Sequence, residues 1–403
     1  MTKPLRIGLV MLGGRGWMGG AEYIRNIIFA LANLPQEQRQ TFELSLLTST
    51  SIDADFIQSV KPCLNNVFFL NKIVPPTYFN LVKWGIEKYL LRIPDHRYDI
   101  VLNKYGLDFV YPVVTEECRF SLNRVVAWVP DFQHKYMPEF FSAKEIYARD
   151  ETHAKMTGVS PLIIVSSRSA AADFARFYPD ASFKVKVLSF KTVPKDEWYL
   201  GDPGKIQRKY ALPDKFYIVS NQFWQHKGHL TLFKAMRRLK DAGITPAVVC
   251  TGALNDNRQA EYAGVVRDAI SSLGVSVQLH LLGLIPKSDQ IQLLRRSIAL
   301  IQPSLFEGWS TIVEEARCLG KDVILSDLPV HLEQNPPMSR FFDRNSPDAL
   351  ASTMADCWES LSPGPDLVRE KVAYQTARME IRKFAETFLE IAQAGSVKTI
   401  PCR

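Results

Sequence analysis

In the first half of the chain, short apolar runs alternate with longer stretches whose apolar side chains recur every three or four positions. The runs at 6–12, 42–49, 67–70, 98–103, 124–131, 162–167 and 184–190 read as strands, and the stretches between them as helices. Residues 191–204, KTVPKDEWYLGDPG, interrupt the alternation with proline, glycine and charge and read as a linker. A second series of apolar runs follows at 216–221, 246–252, 277–283, 298–304 and 322–327. Strand–helix alternation on both sides of a linker predicts an α/β protein of two doubly wound, Rossmann-like domains facing a central cleft. The expected boundaries are 1–195, 196–380 and a tail, 381–403. In the tail Phe384, Phe388 and Ile391 fall at helical spacing, so it is expected to form a helix that packs back on the first domain.

Length agrees with two cores, since 403 residues exceed what one ordinary core holds. With 46% hydrophobic and 23% charged residues, the composition is that of a globular protein. No apolar run is long enough to cross a bilayer, and the N-terminal residues show no cleavage signal ahead of the first strand. The six cysteines form no C-x-x-C pair and read as reduced thiols, which gives a cytoplasmic expectation. The net charge of +7 is spread over both halves with no basic arm. It suits anionic ligands or an anionic membrane surface, and no recognised nucleic-acid module accompanies it.

Gly14, Gly16 and Gly19 match G-x-G-x-x-G between the first strand and a helix. As a dinucleotide fingerprint the loop lacks its acidic partner, because the second strand ends LSLLTSTS and the next acids are Asp53 and Asp55. Two readings remain: a tight turn with no ligand, or a loop whose backbone N–H groups meet some other phosphate. Asp53-Ala54-Asp55 also imitates a D-x-D metal motif, but acids in the first turn of a helix explain it as well.

The most specific stretch is PSLFEGWSTIVEEA, 303–316, in which Glu307 and Glu315 are separated by seven residues after a strand and at a helix start. It resembles the paired-glutamate signature of retaining glycosyltransferases of the GT-B fold, especially family 4 and its bacterial surface-polysaccharide members. The segment 217–236 resembles the opening strand, loop and helix of that family's C-terminal domain, AWVPDFQHKYMPEFFS (127–142) a histidine-bearing segment of its N-terminal domain, and 248–256, 281–294 and 326–336 further parts of the donor domain.

The resemblance implies a set of roles. Glu315 would accept hydrogen bonds from ribose hydroxyls and Glu307 from hydroxyls of the transferred sugar. Lys227 would contact the leaving diphosphate, with His226 and Gln222 beside it. Gly308, Ser310 and Thr311 would turn N–H and hydroxyl groups toward the phosphates, and Gly14, Gly16 and Gly19 would close over them from the first domain. Gly252, Leu284 and Ile285 would lie near the base. His134 would lie near the transferred sugar, although a hydrogen-bonded structural histidine reads equally well; Asp131 would hold it or cap its turn. The family's loop arginine is missing, since Asn221 and Gln222 occupy its region, and Arg168, Lys135 or Arg15 would supply a second cation.

The implied reaction moves a hexose from a nucleotide-diphosphate sugar to a hydroxyl acceptor, a glycan of the lipid-linked class, with retention and without a metal or other cofactor. A nucleotide sugar and a glycan are the expected partners, with nucleic acid excluded. The segment 78–92 mixes aromatic and basic residues and reads either as a peripheral contact with the inner face of the cytoplasmic membrane or as a helix packed on the sheet. A nucleotide-sugar epimerase of the same fold, a dinucleotide oxidoreductase and a non-catalytic sugar-nucleotide binder stand as alternatives.

Overall fold

The computed structural model describes residues 3–12, 18–49, 54–75, 77, 98–114, 121, 124–254 and 261–396. Gly14, Arg15, Gly16, Asp53 and the segment 78–92 lie outside the described residues. The chain divides into two compact units, 1–193 with 380–403, and 194–379.

In the first unit, strands β1 (Leu5–Val10), β2 (Phe42–Thr48), β3 (Asn66–Phe69) and β4 (Phe109–Tyr111) form a parallel sheet in the order β3-β2-β1-β4. Strands β5 (Ala127–Val129), β6 (Ile163–Val165) and β7 (Val185–Val187) form a second parallel sheet, and a parallel bridge from Val113 to Ala127 joins the two. The inner strands β1, β2, β4, β5 and β6 are apolar runs because both faces are covered, as parallel sheets require, whereas β3 and β7 are only partly buried. Ile7, Leu9, Phe109, Tyr111, Ile163 and Val165 are all fully buried.

The segment 98–103 is not a strand but the start of the helix Asp99–Tyr105. Its apolar run is too short to fix a period, and Gly106 at φ 60° ends it in a left-handed cap that a strand would not need. The strand falls instead on Phe109–Tyr111, directly after this cap.

The second unit holds β8 (Phe216–Ser220), β9 (Ala247–Thr251), β10 (Leu279–Gly283), β11 (Leu300–Gln302), β12 (Val323–Ser326) and β13 (Ser339–Phe342). All pairs are parallel, in the order β10-β9-β8-β11-β12-β13. The strand sequence reverses direction between β8 and β11. In such sheets the loops beyond the carboxyl ends of those two strands open a crevice.

The linker stretch is not extended throughout: it contains the helix Asp196–Leu200, and Pro203 begins the helix Pro203–Lys209 behind its Asp202 cap. The last long helix, Leu367–Ala394, belongs to the second unit as far as Met379 and to the first from Glu380. Phe384, Phe388 and Ile391 are buried, and Phe388 meets Phe109 and Tyr111 edge-on at 5.9 Å. Among the described residues no helix is long and apolar enough to cross a membrane.

Candidate functional site

The chemistry-bearing residues of the second unit gather where β8 and β11 end. Beyond β8 the chain makes a 3-10 turn, Gln225–Lys227, and enters the helix His229–Asp241 through Gly228. Gly228 has φ 72°, and a Cβ there would stand 1.9 Å from the Pro303 carbonyl oxygen. Only glycine lets this loop press against the one after β11, and the His226 carbonyl then accepts from the Leu305 N–H at 2.7 Å. That contact sets Lys227 opposite Glu307.

The Lys227 ammonium donates to both oxygens of Glu307, at 2.7 and 2.9 Å. Glu307 Oε1 also accepts from Gln302 Nε2 and Ser304 Oγ, each at 2.8 Å. Gln302, at the end of β11, exchanges two hydrogen bonds with Asn221, at the end of β8, and so spans the point where the sheet reverses. Burial acts to raise the Glu307 pKa, but the neighbouring charges and donors, Lys227 foremost, overcome it and hold the carboxyl below its ordinary value. His331 lies near as well. Burial drives its own pKa down to about 4, so it is neutral near pH 7. Ser326 Oγ ties this layer together, donating to the Ser304 carbonyl at 2.6 Å and meeting His331 Nδ1 at 3.0 Å.

Glu315 sits one helical turn into Thr311–Cys318, and its partner is Lys287, the first residue of the helix Lys287–Arg296. That helix is tied to the strand ends by Gln290, which donates to Ser220 Oγ, and Ser220 Oγ in turn lies 2.6 Å from Thr251 Oγ1. The second unit therefore presents two lysine–glutamate pairs at the carboxyl edge of one sheet. The motif spacing singled out Glu307, Glu315 and Lys227. It missed Lys287, Gln302 and Ser304, although the stretches LIPKSDQ and IQPS contain them.

Several of the expected residues have partners within the protein. The Ser310 N–H donates to Gln334 Oε1 at 3.2 Å, and Gln334 Nε2 returns a bond to the Ser310 carbonyl at 3.0 Å, so this amide is committed within the protein. Thr311 and Gly308 are half-buried, and the first-turn amides of the helix from Thr311 remain as the donors that a helix start leaves open. Gly252 (φ 127°) is needed for loop contact: a Cβ there would lie 2.1 Å from the Asn221 carbonyl, and its N–H donates to Gly283. Leu284 is 67% exposed, Ile285 and Gln222 are half-buried, and His226 is buried against Trp224.

In the first unit Gly19 lies half-buried in the helix Met18–Ala32. His134 has a different setting from the one expected of a sugar contact. Its ring is buried among Phe132, Phe141 and His153, and Nε2 pairs with Asp150 at 3.0 Å. Burial, opposed by Asp150, lowers its pKa. Asp131 does not hold it but caps the turn, accepting from the Gln133 N–H. Lys135 is committed to the same Asp150 at 2.7 Å. Arg168 opens the helix Arg168–Phe177 behind its Ser167 cap.

Most of the chain is covered by matches to solved glycosyltransferase structures at low sequence identity. A glycosyltransferase from Rickettsia africae ESF-5 matches with a TM-score of 0.65 and 15% identity, over 98% of this chain and 99% of that one. HepE of Anabaena, in complex with UDP and glucose, matches with a TM-score of 0.64 and 15% identity, over 97% and 100%. WaaG, a glycosyltransferase involved in lipopolysaccharide biosynthesis, matches with a TM-score of 0.59 and 12% identity, over 95% of each chain. The fold is the GT-B fold of glycosyltransferases. Within it, residues 204–361 match the family model described as Glycosyl transferases group 1, and this stretch contains both lysine–glutamate pairs. No curated protein matches the sequence.

Proposed function

We propose that the protein is a retaining hexosyltransferase that moves a hexose from a nucleotide-diphosphate sugar to a hydroxyl of a glycan acceptor, with lipid-linked glycans as the acceptor class. The observation that carries the reading is the Lys227–Glu307 pair at the sheet's reversal point, inside the segment of the group 1 glycosyltransferase match. The UDP and glucose of HepE support a sugar-nucleotide donor, and the lipopolysaccharide role of WaaG supports the acceptor class.

In this reading the donor lies across the ends of β8 and β11. Glu315 takes ribose hydroxyls and Glu307 takes hydroxyls of the hexose. The Lys227 ammonium stabilises the charge that grows on the diphosphate as the anomeric C–O bond breaks. The acceptor hydroxyl attacks from the face the diphosphate leaves, and its proton passes to the departing phosphate, so no carboxylate nucleophile and no metal ion are needed. His134, enclosed and paired with Asp150, is left out of the chemistry. Thermal-shift measurements against UDP-, GDP-, ADP- and dTDP-sugars test the reading: stabilisation by one base series is expected, and no shift with any of them would overturn it.

A further inference from the structure

The chain lacks the loop arginine expected beside Lys227, and the structure places other groups of this region in internal bonds. Asn221, at the arginine's region, is buried against Gln302. The Ser310 amide is bonded to Gln334. What the second unit offers instead is Lys287, held by the Glu315 carboxylate and 3.5 Å from Gln290 Oε1.

We infer that Lys287 is the second phosphate-binding cation of this site, resting on Glu315 until a nucleotide diphosphate draws it away. The inference rests on the donor-site reading above and adds to it the residue that replaces the arginine.

The asymmetry of the pair supports the exchange. The Glu315 side chain is 7% exposed and fixed on its helix, whereas that of Lys287 is 43% exposed on a long flexible stem. Moving the ammonium takes little desolvation; moving the carboxylate would take much more. A diphosphate offers that ammonium more negative charge than one carboxylate does. Gln290, anchored on Ser220, keeps the first turn of the helix, and with it the base of the Lys287 stem, against the strand ends. Lys227 differs in being held by a carboxylate that two further donors, Gln302 and Ser304, also fix.

The test is calorimetric titration of wild type, K287A and K287R with UDP, GDP, ADP and dTDP. The tightest binder is then compared with its own nucleoside. For K287A the diphosphate is expected to bind about ten- to hundredfold more weakly, the range of one lost charge-assisted hydrogen bond. Nucleoside affinity should stay within about twofold, and K287R should recover most of the diphosphate affinity. Raising the salt should weaken diphosphate binding more in wild type than in K287A. Equal losses for nucleoside and diphosphate would show that Lys287 acts through Glu315 and ribose alone, and would overturn the inference; so would unchanged diphosphate affinity. If wild type binds none of the four diphosphates, the donor-site reading fails and the inference with it. Should K287A not fold, K287M, which keeps the length of the stem without the charge, takes its place with the same expected outcomes.

Discussion

Lys227 and Glu307 lie 80 positions apart in sequence, yet the ammonium of one bridges both carboxylate oxygens of the other, at 2.7 and 2.9 Å. Each arrives from a loop beyond a different strand, and the two strands flank the point at which the sheet reverses. Lys227→Ala removes the cation expected to meet the leaving diphosphate. Turnover should fall by about 100- to 1,000-fold, the range for one preorganised charge-stabilising contact, while the protein still folds. Single-turnover kinetics beside a thermal melt measure both; unchanged turnover takes Lys227 out of the reaction.

Gly228→Ala tests how Lys227 is positioned. The substitution meets the Pro303 carbonyl at 1.9 Å and a backbone at φ 72°. Stability should drop by roughly 2–4 kcal/mol, and activity should fall even at temperatures where the variant is folded, because the loop can no longer sit against 303–305. Urea unfolding gives the first quantity and a sugar-transfer assay the second. A variant of wild-type stability would mean that the two loops are not in tight contact.

Acid should destabilise the protein in a window set by its buried histidines. Burial lowers the pKa of His153 and His229 to about 3 and that of His331 to about 4. The unfolded chain protonates near pH 6.5. As pH falls from there toward 4 the unfolded state gains protons that the folded state does not, so stability is lost, by up to about 1.4 kcal/mol per pH unit for each histidine. The carboxylates with lowered pKa, Glu307 and Asp150, act in the same direction at lower pH: their stabilisation is present above the ordinary carboxylate pKa and is lost only as pH falls below it. His229 stacks on Phe223 at 4.0 Å, and neither of its ring nitrogens has a hydrogen-bond partner. His229→Leu should therefore flatten the stability profile between pH 7 and 5. Urea midpoints across that range decide the matter; a level wild-type profile would refute the account.

Transfer should continue in EDTA. In the proposed site two ammonium groups and helix-start amides carry the charge stabilisation that a divalent ion supplies elsewhere. Loss of turnover in EDTA with recovery on adding magnesium would reverse this expectation.

The period of the apolar runs carried the α/β alternation, and β8, β9, β10, β11 and β12 all fall on runs visible in the sequence. Strands buried on both faces are continuous apolar stretches, so local composition betrays them. The same rule misread 98–103, where four apolar positions fit a buried helix turn as well as a strand, and Gly106 decided for the helix. It passed over Ser339–Phe342, the edge strand β13, where only Phe342 is buried.

For the site, seven-residue spacing marked Glu307 and Glu315, because both lie within one loop and one helix turn of each other and the pattern is local. Their partners were not marked. Gln302, Ser304 and Lys287 are ordinary polar residues in sequence, and they acquire meaning only when the sheet β10-β9-β8-β11 forms and brings the carboxyl ends of these strands together. Likewise the Ser310 amide looked open for a ligand until Gln334, 24 positions on, was found bonded to it. Hydrophobic periodicity is written into each segment by the need to bury it, so the sequence alone set the elements and the class of fold. Hydrogen-bond and charge partners are chosen across distant segments, so only the tertiary structure decided which donors are spent inside the protein and which lysine pairs with which glutamate at the sheet's edge.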